Sequence, residues 1–354
     1  MENTILSLRQ NRVVANWLLI CCGLVFAMVV LGGVTRLTGS GLSMVEWRPV
    51  MGAVPPVSAE EWQEKFEIYQ LTPEFQKVNS DFDLGDFKGI FWLEYLHRLL
   101  GRLIGLVFVL PLLYFAATGY IRMRDLPKYL FMLALGGGQA FIGKLMVASG
   151  QVDAPQVSHY RLTAHLSAAF LVYALMLWTA LSLLFPAARG AIRHALYGRT
   201  VGVFALVCAM IVSGGFVAGL KAWKIYNTFP KMGDEWIPQG LTALSPLWRN
   251  AFDNMVTVQF NHRWLAVITF VTIVAYWFTA RKTDLPKRAR PAANALLHTV
   301  SLQVILGISA LVLAVPVALG AAHQAVGLLL FTVMLYLVHT LRRVEVPAAA
   351  PGRN

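Results

Sequence analysis

The sequence predicts an all-α polytopic membrane protein, with eight transmembrane helices arranged as two pseudo-symmetric four-helix bundles. Three observations carry that prediction. Of 354 residues, 57% are hydrophobic and only 14% are charged, too little polar surface to enclose a soluble globule of that length. Eight apolar stretches approach the roughly 20 residues that span a hydrocarbon core, at about 14–36, 90–118, 128–149, 160–185, 199–220, 254–280, 292–315 and 317–340. Finally, the motifs of the first four stretches recur in the same order in the last four.

The first stretch follows Arg9 and Arg12 and has no small-residue cleavage site, so it reads as an uncleaved signal-anchor. It leaves through Gly32-Gly33-Val34-Thr35-Arg36 into an outer loop, 37–89, rich in acidic and aromatic residues and long enough to suggest a lid. Inside that loop Ser58 and Glu61 form a capping-box pattern, followed by Trp62, Phe66 and Tyr69 at helical spacing. This predicts a short amphipathic helix on the outer surface, with a plain solvated loop helix as the alternative. The second stretch opens with Glu94-Tyr95-Leu96-His97-Arg98 and continues to Arg102. On a helix Glu94 and His97 share a face, beside a line of Glu94, Arg98 and Arg102. Ionisable groups at membrane depth cost at least roughly 2.5 to 3.5 kcal/mol each and usually face a partner or a functional path. The third stretch carries Gly136-Gly137-Gly138-Gln139 and ends its Gly-rich segment at Lys144, which suggests close helix packing. The fourth opens with Arg161-Leu162-Thr163-Ala164-His165 and stops at Pro186.

In the second half Gly214-Gly215 matches Gly32-Gly33, and Gln259-Phe260-Asn261-His262-Arg263 matches the motif at Glu94. Gln303 with Gly307 matches Gln139 with Gly143, and Ala321-Ala322-His323 matches Thr163-Ala164-His165. Four helices separate the copies, so the repeats are parallel, related by an axis along the membrane normal. The predicted domains are 1–190 and 191–354.

The net charge of +12 does not indicate nucleic acid, because the bases collect in alternate connections. Arg9, Arg12, Arg122, Arg124, Lys128, Arg189, Arg193, Arg199, Arg281, Lys282, Lys287, Arg288, Arg290, Arg342 and Arg343 all fall on one side. By the positive-inside rule both termini are cytoplasmic. An Arg-rich, acid-poor transit extension is missing, which favours a bacterial inner membrane. Cys21, Cys22 and Cys208 lie within apolar runs and imply no disulfide framework.

Of eight histidines, His97, His165, His262 and His323 occupy the first two turns of the even-numbered stretches. At roughly 1.5 Å per residue they lie within about 10 Å of the outer boundary. A lone histidine there reads as a core residue hydrogen-bonded across helices. Four at repeat-equivalent positions point instead to one metal site per half. Two imidazoles from facing helices, without cysteine or a third histidine, suit the axial positions of haem iron better than tetrahedral zinc. Gly101, Ala169, Ala266 and Gly327 stand one turn inward of the four, leaving room for a flat macrocycle or simply allowing helices to pack. Arg36, Arg98, Arg102, Arg161 and Arg263 are candidates for the haem propionates, with snorkelling as the competing reading.

The halves differ at Glu94, which is Gln259 in the second copy. An i, i+4 ion pair with Arg98, worth about 0.3 to 0.5 kcal/mol when exposed, is the plainer role. The other is catalytic, a proton acceptor or cation stabiliser beside a reacting haem. The longer outer loop likewise fits a ligand that enters and leaves the first half and one that is kept in the second.

The stretch Gly32-Gly33-Val34-Thr35-Arg36-Leu37-Thr38-Gly39-Ser40-Gly41-Leu42-Ser43-Met44, the Glu94 to Arg98 motif, Asn261-His262-Arg263-Trp264 and Ala322-His323-Gln324 together resemble haem A synthase, over nearly the whole chain. The alphaproteobacterial and mitochondrial branch is the more similar, since the outer-loop cysteine pairs of the Gram-positive branch are missing. The resemblance implies an oxidoreductase that converts haem o to haem a by successive hydroxylations of the C8 methyl, giving a hydrate that loses water to leave a formyl group. It implies that His97 and His165 belong to the substrate site and that His262 and His323 ligate a retained haem b. The product would serve cytochrome c oxidase assembly, and compatible partners are haem o synthase, oxidase assembly factors, an electron acceptor, membrane lipid and further copies of the chain. A di-haem b-type cytochrome drawing electrons from quinol shares every ligand and differs over Glu94. A transporter built on repeats would need a polar site at the midplane.

Overall fold

The structure is a computed structural model that describes residues 2–46, 54–151, 155–186 and 190–344. Its helices are α1 (Glu2–Leu37), α2 (Ala59–Gln70), α3 (Pro73–Lys77), α4 (Leu84–Ala117), α5 (Leu126–Ala148), α6 (His159–Leu184), α7 (Tyr197–Leu220), α8 (Asn250–Asp253), α9 (Met255–Arg281), α10 (Ala289–Val312) and α11 (Val317–Leu341). Eight of them, α1, α4, α5, α6, α7, α9, α10 and α11, are long and apolar enough to cross a membrane. The described residues form no strand, only two isolated bridges. Arg189, one of the predicted inner bases, lies outside the described residues, as does part of the outer loop.

Helices α1, α6, α7 and α11 form the centre, with α1 packed on α6 and α11, and α7 packed on α6 and α11. Helices α4 and α5 flank α1 and α6 on one side, while α9 and α10 flank α7 and α11 on the other. Each four-helix set therefore closes on itself, and the two sets share the α1, α6, α7, α11 contact.

Two glycines make that contact close. A methyl carbon built on Gly33 of α1 would lie 2.5 Å from the Gln324 side chain of α11, and one built on Gly215 of α7 would lie 2.9 Å from Thr163 of α6. Gln324 then reaches past Gly33 to donate to the Val29 carbonyl at 2.7 Å. The triple glycine at 136–138 does not play the packing role expected of it, because a methyl carbon there would meet nothing within 4 Å.

The outer loop contains two capped helices. Ser58 and Glu61 form the predicted capping box of α2, and Thr72 caps α3. Helix α4 begins at Leu84, six residues before the predicted start, because Asp83 caps it reciprocally with Asp86. That polar cap precedes the apolar run, which is why hydropathy misses it. The first two turns of α4 present Phe87 and Phe91 to the face of α2 that carries Trp62, Phe66 and Tyr69, and all five rings are buried. Tyr69 stacks on Phe87 at 5.1 Å and Trp62 meets Phe91 edge-on at 4.9 Å. The apolar side of α2 is thus covered by α4.

Phe87 is fully buried at the middle of this cluster. Phe87→Ala should cost about 3 to 5 kcal/mol of local stability, read as faster amide hydrogen exchange confined to residues 59–77, with exchange in α6 and α11 unchanged.

Candidate functional site

All four predicted histidines stand at one end of the bundle, and a glycine of the preceding membrane helix stands opposite each ring. A methyl carbon built on Gly32 would lie 3.1 Å from His97, one on Gly143 3.3 Å from His165, one on Gly214 3.4 Å from His262, and one on Gly307 2.9 Å from His323. The Gly-Gly pairs now have a reason. In each pair the first glycine makes room for a histidine of its own half and the second for the crossing between halves. The small residues on the histidines' own helices have other protein neighbours: a methyl carbon on Gly101 would sit in ordinary contact with Met28 at 3.5 Å, and Gly327 accommodates Gln303 at 3.3 Å.

The structure pairs the histidines as the repeat requires. His97 lies within charge-interaction range of His165, and His262 within range of His323. Around them the core is interrupted. Buried residues are missing from α4 between Tyr95 and Phe108, from α6 between Thr163 and Phe170, from α9 between Gln259 and Thr269 and from α11 between Ala321 and Leu328. The main apolar core lies toward the opposite end, built on Trp17, Leu18, Met176, Ile273, Leu296 and Met334. Among the described residues no three His, Cys, Asp or Glu side chains gather at one point, so the donor set is two imidazoles per half. Buried polar atoms without partners, Nδ1 of His165, Nδ1 of His323 and both amide atoms of Gln139, line the same region. Two nitrogens, a half-buried apolar surround and orphaned polar atoms fit a haem.

The pairs differ in how firmly they are held. His262 Nδ1 lies 3.1 Å from Ser213 Oγ on α7, and the Gln303 amide of α10 lies 3.3 Å from His323 Nε2. No hydrogen bond from a described residue reaches His97 or His165. Ser213 was not legible as a site residue, because its repeat counterpart is Leu31. Gln139 and Gln303 stood out only as repeat markers, although an amide within an apolar helix was the available signal.

Glu94 is buried, at 3% exposure, and well supplied with donors. Its Oε2 accepts from Ser43 Oγ at 2.7 Å and from the Met44 N–H at 2.9 Å. Its Oε1 accepts from Nε of Arg98 at 3.1 Å and from Nη2 of the same guanidinium. Arg98 also donates to the Met44 and Glu46 carbonyls. The pair therefore moors the start of the outer loop over His97. In the second half Gln259 donates to the Tyr226 carbonyl at 2.9 Å, and Arg263 donates to the carbonyls of Tyr226, Thr228 and Lys231. The same two positions hold an outer loop in both halves, with a charge pair in one and an amide with a guanidinium in the other. Arg102 sits near Arg98 and Tyr95, and Arg161 donates to the Leu145 carbonyl.

Arg36, at the end of α1, meets a group that the sequence did not single out. Lys221 caps α7 in the left-handed conformation, φ 53°, within charge range of Arg36, Lys224 and Glu74. Burial first, then Lys224 and Arg36, lowers the Lys221 pKa, with Glu74 opposing. Glu74 of α3 accepts from Tyr69 OH at 3.2 Å. Burial raises its carboxyl to about 7, the Tyr69 bond opposes, nearby Glu94 raises it further and Lys221 opposes. A second link between the halves is made by Asp253, which accepts from Tyr160 OH at 2.8 Å and Arg249 Nε at 3.0 Å and faces His159 Nε2 at 3.0 Å.

Residues 15–335 match the family model described as cytochrome oxidase assembly protein. A Heme A synthase of Nitrosospira multiformis is 51% identical over 337 residues, 94% of each chain. One of Parvibaculum lavamentivorans is 43% identical over 337 residues, 94% of this chain and 96% of that protein. Heme A synthase COX15 of Homo sapiens is 45% identical over 343 residues, 94% of this chain and 84% of that protein.

The Glu74 shift gives the outer loop a pH dependence. Undocked, the carboxyl ionises at its ordinary value of 4.5, and docked only at about 7. The docked form thus binds the extra proton, and its advantage is fullest below 4.5 and lost as pH rises through about 7. A nitroxide on exposed Gln63 should report loosening across that window, and Glu74→Gln should flatten the curve.

Proposed function

Because the chain belongs to the cytochrome oxidase assembly protein family, we propose that its first half receives a substrate haem between His97 and His165 and that its second half retains a haem b between His262 and His323. The chain is an integral membrane oxidoreductase of haem biosynthesis that converts haem o to haem a, as its relatives do. The observation that carries the division of labour is the unequal support of the two histidine pairs. A ligand that stays is served by an imidazole fixed from behind: were iron held on Nε2 of His262, Nδ1–H would donate to Ser213, the arrangement that orients and strengthens metal-ligating histidines. A substrate that must enter, turn over and leave is served by imidazoles without such a tether, and His97 and His165 have none among the described residues. A retained haem supplies one-electron chemistry beside the substrate site.

The two halves act as parallel four-helix repeats, 1–190 and 191–354, with both termini cytoplasmic and the histidine end toward the periplasm of a bacterial inner membrane. The bases at the opposite end support that orientation. Glu94 has its acceptor positions engaged by Ser43, Met44 and Arg98, so its part is a fixed negative charge one helical turn from His97. Such a charge stabilises positive charge developing on the substrate ring. Arg98 and Arg263, engaged by loop carbonyls, hold the loops over the two sites and would be among the cations available to propionates there. Arg36 and Arg102 would be further candidates for propionate contacts, and Lys221 lies within charge range of Arg36. The di-haem cytochrome reading shares the ligands but leaves Glu94 as a mooring alone.

Purified protein should contain haem b together with haem o or haem a. His262→Ala or His323→Ala should remove the haem b and about half of the Soret absorbance, whereas His97→Ala or His165→Ala should spare it. Pigment loss in the reverse pattern would assign the sites the other way. Glu94→Gln, which installs the residue of the second half, should keep both haems yet lower haem a formation at least about tenfold. Undiminished haem a would leave the carboxylate only its mooring role.

A further inference from the structure

Gln139 is the residue with both side-chain amide atoms buried and unpartnered among the described residues. Leaving such a group unsatisfied costs on the order of 1 to 3 kcal/mol, and a buried polar atom without a partner calls for a specific explanation. Its place supplies one. Gln139 precedes Gly143 by one helical turn on the same face of α5, and Gly143 is the residue against which the His165 ring rests. The second half shows how far an amide at this register reaches: Gln303, one turn before Gly307, comes within 3.3 Å of Nε2 of His323. Gln139 thus stands one turn from the His165 contact, and its amide, unlike that of Gln303, bonds no described residue, which leaves it for a ligand held by His165.

The reaction changes the polarity of the substrate at one carbon. The substrate presents a methyl group, and the reaction leaves first hydroxyls and then a formyl oxygen on the same carbon. A hydroxyl donates and accepts, whereas a formyl oxygen only accepts. A primary amide offers one acceptor and two N–H donors, so it can serve both. A carboxylate could not donate to the formyl oxygen, and an ammonium could not accept from the hydroxyl. We propose that the Gln139 amide hydrogen-bonds the oxygen installed on the methyl carbon of the substrate haem, holding the hydroxylated intermediates and the formyl product in place. The proposal rests on the assignment of His97 and His165 to the substrate site. Gln139 is then a binding residue for the oxidised states, and it has no polar atom to meet on the unreacted methyl. Gln303, with its N–H near His323, has the different task of lying against a ligand ring in the other half.

The test uses the full-length protein in detergent, with haem o or haem a added, and reads binding and the resonance Raman band of the formyl C=O stretch. In the wild type the band of bound haem a should lie below its position in an apolar solvent, as hydrogen bonding requires; an unshifted band overturns the proposal without any variant. Gln139→Met, of similar length and without polar atoms, should return the band to the apolar position and weaken haem a about tenfold, with haem o changed less than about twofold. Equal weakening of both haems would make Gln139 a packing residue and overturn the proposal, as would an unchanged band. Gln303→Met should leave the band where it is; a shift there would move the contact to the wrong half and overturn it. His97→Ala should abolish added haem a binding. Haem a retained in that variant would sink the site assignment and the proposal with it, whereas an unshifted band in a His97-dependent site sinks the Gln139 contact alone.

Discussion

Four imidazoles must be brought to the inside of a helical bundle at nearly one depth, and each ring needs space on the neighbouring helix. That space is made by omitting a side chain. Gly32, Gly143 and Gly307 each face a histidine so closely that an added methyl carbon would press on the ring, and Gly214 faces His262 at contact distance. Much of the architecture follows from this steric demand. Helices α1 and α7 lie close to α4 and α9 where their glycines fall. Because Gly33 and Gly215 follow directly, the adjoining surfaces of α1 and α7 can also approach the other half. The bulky core is displaced toward the opposite end, where Leu18, Met176, Leu296 and Met334 are fully buried. Packing thus stabilises one end of the bundle while the histidine end is left half-buried for a ligand.

Over that end lie two loops held by one device. The position that carries Glu94 in α4 carries Gln259 in α9, and both draw in the backbone of the loop above with an arginine four residues on. The mooring is therefore common to both halves and does not need a carboxylate, since the amide of Gln259 performs it. What the carboxylate adds is charge. A buried anion beside a single guanidinium is a costly way to fasten a loop when a neutral amide suffices, and this excess argues for an electrostatic function at Glu94. The contrast in loop anatomy points the same way. The first half folds two capped helices and a five-ring aromatic cluster onto α4, whereas the loop of the second half has short turns and the four-residue α8.

The sequence showed the periodic features well and the contact-dependent ones poorly. Apolar runs placed all eight spanning helices, because each run has to match the membrane thickness in its own right. The capping box at Ser58 and Glu61 was legible because its hydrogen bonds are local. The early start of α4 was not, because Asp83 and Asp86 are polar and the run proper begins later. The four histidines were found from the repeat, but the glycines that face them were not, since which residue of a neighbouring helix faces a ring depends on helix rotation. Ser213 and Lys221 were missed for a related reason. Neither has a repeat counterpart of its own kind, so the comparison of halves that exposed the histidines and Glu94 could not expose them.

The same comparison, made on the structure, separates what a ligand pair must be from what it must do. Both pairs need two imidazoles and a glycine behind each, and both have them. Only the second pair has a hydrogen bond at the nitrogen turned away from the ligand side, that of Ser213 with Nδ1 of His262, since Gln303 lies at Nε2 of His323. A hydrogen bond to the outer nitrogen of a metal-bound imidazole fixes its tautomer and rotation and makes it a stronger donor, which favours long retention of the iron. Its omission in the first half leaves rings without such a tether, which supports the proposed assignment of that half to a haem that is exchanged. The two sites thus differ less in their ligands than in what stands behind those ligands.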